Sequence, residues 1–89
     1  MDASIETLEN IKLMISPNQC KAARALLEMT QADLAKAAGL SAVSIGMFEK
    51  GGDTRDSNRM KIKKALETTG PGVEFIEKNG GGAGVRLKR

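Results

Sequence analysis

Apolar residues along this chain recur mainly three and four positions apart, with short alternating runs only towards the end. From Pro17 to about Met29, the residues Cys20, Ala23, Leu26 and Leu27 share one face at helical spacing. Ser16-Pro17 starts that helix, with serine at the N-cap and proline at the first helical position. A second stripe, Leu34, Ala35 and Ala38, follows Thr30, and Thr30 with Asp33 has the spacing of a capping box. Gly39 ends it, where a left-handed backbone costs glycine least. Leu40 is a single apolar plug and Ser41 is suited to cap a third helix. That helix turns Ile45 and Phe48 inward and stops at Gly51-Gly52. A fourth stripe, Ile62, Ala65 and Leu66, predicts a helix from about Ser57 or Asn58 to Thr69, ended by Gly70-Pro71-Gly72.

Period two then takes over. Val73 and Phe75 can share a face with Val85 and Leu87, with Glu74 and Arg86 opposite one another on the other face. The glycine-rich stretch 79–84 between them reads as the turn of a hairpin. It lacks the lysine, Ser/Thr and following helix of a phosphate-binding loop. The first fifteen residues admit two readings. Ser4 can cap a short helix over 4–13 that presents Ile5, Leu8 and Ile11 or Lys12, or Ile11, Leu13 and Ile15 can line one face of a strand. The expected architecture is mainly α: four to five helices with a short C-terminal β-hairpin. Residues 1–15 form an extension, 16–70 the helical domain, and 71–89 a hairpin that could also serve dimerisation.

Composition narrows the function. Eighty-nine residues make one small domain, and with 2% aromatics its core must come from Leu, Ile, Ala and Met. Such a core gains from dimerisation. The net charge of +3 is unevenly placed: residues 41–70 carry six Lys/Arg against four Asp/Glu, and 71–89 carry four against two. That distribution suits a polyanionic partner. The chain has one cysteine and no histidine, so a disulfide within the chain, a metal cluster and a His-based triad are all excluded. Cys20 reads as a small core residue. Neither a signal segment nor an apolar run of membrane length is visible, and a cytoplasmic non-enzyme without cofactor is expected.

The stretch from Gln31 to Gly51 has the outline of a helix-turn-helix. Gln31, Leu34-Ala35, Gly39, Ile45, Glu49 and Gly51 fall where the phage-repressor-like (Xre/Cro-type) helix-turn-helix family places the same residues. The chain resembles that family over roughly Ser16 to Leu66, and its tail is similar to that of short bacterial regulators of the same kind. The resemblance implies a regulator of transcription that binds double-stranded DNA, with helix 41–50 in the major groove. It also implies a pair between Arg24 and Glu49. The sequence departs from the family at Arg59, where an aliphatic residue is usual, and Met60 could fill that place by a shifted register.

With Ile45 and Phe48 inward, Ala42, Val43, Gly46 and Met47 point outward, with Lys50 at the end. That helix offers no Arg, Gln or Asn for bidentate base contacts, so Ala42, Val43 and Met47 are suited to thymine methyls. Ser41 and Ser44 can donate to a phosphate or a base edge. Gln31 carries over from the family as a phosphate contact, helped by its helix N-terminus. Lys50 and Arg55 are placed to hold the flanking backbone. The function expected is a homodimeric repressor of its own or a neighbouring operon, acting at a pseudo-palindromic operator. Two alternatives remain open. One is an antitoxin-type autoregulator that also binds a protein through residues 71–89 or 1–15; the other is a protein-interaction module without DNA binding.

Overall fold

The computed structural model describes residues 14–52, 55–77 and 80–88. Both readings of the N-terminal segment lie outside them, apart from Met14 and Ile15, which are neither helix nor strand. Four helices follow: α1 (Pro17–Leu27), α2 (Gln31–Ala38), α3 (Ala42–Glu49) and α4 (Asp56–Thr68). Two strands, β1 (Val73–Ile76) and β2 (Gly84–Leu87), close the chain as an antiparallel hairpin.

The first three helices begin on side-chain caps. Ser16 Oγ accepts from Gln19 N at 3.1 Å, and Gln19 Oε1 accepts from Ser16 N at 2.9 Å. Thr30 and Asp33 make the same reciprocal pair at 3.0 Å each. Ser41 Oγ accepts from Ser44 N at 3.1 Å. Each cap satisfies N–H groups that a helix start otherwise leaves to water. The turn between α2 and α3 rests on Gly39 at φ 71°.

Helix α1 is shorter than its apolar pattern predicts. It stops at Leu27 because Glu28 adopts a left-handed backbone, φ 54°, which lets Met29 N donate to Arg24 O at 2.8 Å. Leu26, inside the helix, is not on the buried face and is 40% exposed. Cys20 and Ala23 are fully buried, as predicted, and they meet Leu34, Ile45, Ile62 and Leu66 in a core to which all four helices contribute.

Met60 does not fill the aliphatic place left by Arg59. It is 41% exposed. Arg59 itself covers the core, its guanidinium 5.4 Å from the Phe48 ring centroid and its Nη2 donating to Ile15 O at 3.2 Å. A long stem with a cationic head thus replaces an aliphatic side chain, using the ring face as its partner.

The hairpin has the register read from the alternation: Val73 opposite Leu87, Glu74 opposite Arg86, Phe75 opposite Val85. It is part of the core rather than an appendage. Val73 is fully buried, and Gln19 Nε2 donates to both Ile76 O (3.3 Å) and Gly84 O (2.9 Å). Gly72 makes the approach feasible, since at φ 73° a Cβ there would collide with the Glu67 carbonyl oxygen. Lys88 N donates to Gly72 O at 3.0 Å, so hydrogen-bonded pairs alternate from that point. The N–H and C=O groups of Val73, Phe75, Val85 and Leu87 therefore face the outer edges of the hairpin.

Candidate nucleic-acid interface

Helix α3 is apolar almost all round, and its two sides have different fates. Ile45 and Phe48 are buried, whereas Val43 is 71% and Met47 52% exposed. Val43, Gly46, Met47 and Lys50 form one stripe at i, i+3, i+4, i+7 on the outward side. Ala42 is exposed beside it, and Ser41 and Arg55 are exposed at its flanks. Ser41 and Ser44 share a hydroxyl hydrogen bond of 3.1 Å. Whichever oxygen donates, the other hydroxyl keeps its hydrogen free for an acceptor outside the protein.

What holds this stripe outward is a polar anchor at the end of α3. Glu49 is buried, yet its two oxygens accept four hydrogen bonds. Arg24 Nε donates to Oε2 at 2.7 Å and Nη2 to Oε1 at 2.8 Å, the bidentate geometry of a strong pair. Gln31 Nε2 donates to Oε1 at 3.0 Å and the Cys20 thiol to Oε2 at 3.2 Å. Arg24 Nη1 also donates to Met29 O at 3.1 Å, which fixes the guanidinium from behind. Burial alone would raise the Glu49 carboxyl, but these donors outweigh it and hold the group at about 2. Burial, then the hydrogen bond to Glu49, pushes the Cys20 thiol far above its ordinary range. It is a neutral donor in the core and not a reactive thiol.

Gln31 thus has a structural duty that sequence reasoning did not assign. Its amide lies beside Gly46, where a Cβ would sit 3.7 Å from Gln31 Oε1. It links the start of α2 to the end of α3, with one amide hydrogen and Oε1 left for an outside partner. Gln19 was missed altogether, although Ser16 followed three residues later by glutamine is a capping-box spacing. The second role of Gln19, on the hairpin carbonyls, leaves no trace in a linear pattern.

A groove of about 580 Å³ lies between α4 and the hairpin, lined by Arg59, Lys63, Val73 and Phe75 among others. No α3 residue lines it. Among the described residues no cluster of His, Cys, Asp or Glu could hold a metal, and no helix is long and apolar enough to cross a membrane.

Two helices set by a glycine turn, the second presenting an exposed stripe from a fixed rotation, define a helix-turn-helix DNA-binding domain. The family model for the helix-turn-helix matches residues 21–70, more than half of the chain. The chain belongs to that family, the Xre/Cro-type helix-turn-helix regulators of transcription. No curated protein sequence matches it.

Proposed function

We propose that this protein binds double-stranded DNA sequence-specifically, as a cytoplasmic repressor of its own or a neighbouring operon. Helix α3 enters the major groove, which is about 12 Å wide and admits one helix. The observation that carries the reading is the exposed stripe Val43-Gly46-Met47-Lys50, on a helix whose rotation is fixed by Glu49. Gln31, Ser41 and Ser44 hold one side of the phosphate backbone, and Lys50 and Arg55 the other. The first-turn N–H groups of α2 add a partial positive charge next to Gln31.

A homodimer belongs to the same reading. The outer edges of the hairpin are unpaired among the described residues, and an open edge tends to recruit another strand. Two-fold symmetry would set the two α3 helices roughly 34 Å apart and make the operator a pseudo-palindrome.

Selection of bound fragments from the source genome, followed by a salt titration on the best one, tests the reading. The expected result is a recurring inverted repeat, bound with an affinity that falls linearly in log–log against salt. A protein that retains no fragment between 50 and 200 mM salt is not a DNA-binding regulator.

A further inference from the structure

Among the four bases only thymine shows a methyl group in the major groove, on C5; adenine, guanine and cytosine show only donors and acceptors. The helix that would enter that groove carries no amide, guanidinium or carboxylate on its outward side. Its two large exposed side chains are hydrocarbon and thioether, Val43 at 71% and Met47 at 52% exposure, with Ala42 beside them. Gly46 lies between Val43 and Met47, and it is not glycine for want of space. A Cβ there would meet only the tip of Gln31, at 3.7 and 3.9 Å, an ordinary contact distance. A mid-helix glycine costs about 1 kcal/mol relative to alanine. Here it leaves a shallow floor beside the exposed side chains of Val43 and Met47.

We propose that the recognition surface reads the C5-methyl group of pyrimidines itself, so that 5-methylcytosine substitutes for thymine at the contacted positions. This rests on α3 entering the major groove. Ala42, Val43 and Met47 gain nothing from the groups at position 4, where thymine has an acceptor and cytosine a donor. They gain from removing a methyl group from water, and that group is the same in thymine and in 5-methylcytosine. Uracil and cytosine, which lack it, are the poor partners. Binding of this protein then depends on cytosine C5-methylation wherever a read position holds cytosine.

The test uses the full chain and its best selected duplex, altered one methyl at a time. Replacing a contacted thymine by deoxyuridine should weaken binding about four-fold, the equivalent of the roughly 0.8 kcal/mol carried by one buried methyl-sized group. At the same position, 5-methylcytosine should bind about four-fold tighter than cytosine, each paired with guanine. Val43→Ala or Met47→Ala should abolish both differences at the positions that side chain covers. Deoxyuridine duplexes bound as tightly as thymine ones, or equal losses in wild type and both variants, would overturn the proposal while leaving major-groove binding intact. Failure of the selection to yield any preferred sequence would instead remove the reading on which the proposal depends.

Discussion

Replacing Glu49 by glutamine tests the anchor of α3 directly. The substitution keeps shape and volume but removes the charge, and it turns an NH₂ group towards partners that are all donors: Arg24, Gln31 and Cys20. The carboxyl sits at about 2 in the fold against 4.5 for a free glutamate. Each pH unit between those values is worth about 1.4 kcal/mol, so ionised Glu49 contributes about 3 kcal/mol at neutral pH. Because the folded value is the lower one, that contribution is complete above pH 4.5 and is lost as pH falls towards 2. About 2 kcal/mol of it should be gone by pH 3. Glutamine does not titrate. Urea unfolding of wild type and Glu49→Gln should therefore differ by about 3 kcal/mol at pH 7 and by markedly less at pH 3, comparable to the loss when one partner of a buried pair is removed. Two stability profiles that run parallel across this range, or a difference under about 1 kcal/mol at pH 7, would refute the reasoning.

Lys50→Ala should weaken binding to operator and random DNA alike and lower the salt slope by about one, as read by fluorescence anisotropy at several salt concentrations. Gly46→Ala should raise stability by about 0.5–1 kcal/mol in urea unfolding, since its Cβ meets only ordinary contacts, while weakening operator binding. A variant that is both more stable and equally tight would show that Gly46 does not face DNA. Leu87→Lys places a charge at an exposed residue of β2; light scattering should find a monomer, and circular dichroism unchanged helical content.

The helical part of this fold was legible because its signals are local. The Thr30–Asp33 capping box, the Ser16 and Ser41 caps, the left-handed Gly39 and the apolar stripes each act within four residues, and the structure has them where the pattern places them. The hairpin register followed from strict alternation. What misled was the assumption that every apolar residue near a stripe belongs to it. Leu26 lies at the margin of the α1 stripe and stays exposed, and Met60 is exposed because a cation over Phe48 occupies the place assigned to an aliphatic residue. The functions of Gln19 and Gln31 were hidden for another reason. Their partners lie 57 and 65 residues away for Gln19 and 18 for Gln31, separations that no periodicity encodes.

The rotation of α3 is the step on which fold and function meet. Hydrophobicity favours the observed face only through the larger size of Ile45 and Phe48, because Val43 and Met47 make the opposite side apolar as well. An amphipathic helix orients itself by having one face to hide; α3 has two. The choice falls to polar contacts that are satisfied in one orientation only. Ser41 caps one end, and Glu49 at the other meets Arg24, Gln31 and Cys20. Turning the helix over would leave the partly buried Arg24 without its partner and carry the Glu49 carboxylate out to solvent, with no hydrophobic gain to offset the lost hydrogen bonds. The charged network thus serves specificity as well as stability, and it permits an apolar surface to remain in water, free for a partner. Loosening it should therefore damage recognition in addition to its cost in stability. In Glu49→Gln under conditions where the protein is still fully folded, discrimination between operator and random DNA should fall, while the salt-dependent affinity for random DNA, carried by Lys50 and Arg55, persists. Equal retention of discrimination in the folded variant would mean that α3 is oriented by its hydrophobic contacts after all.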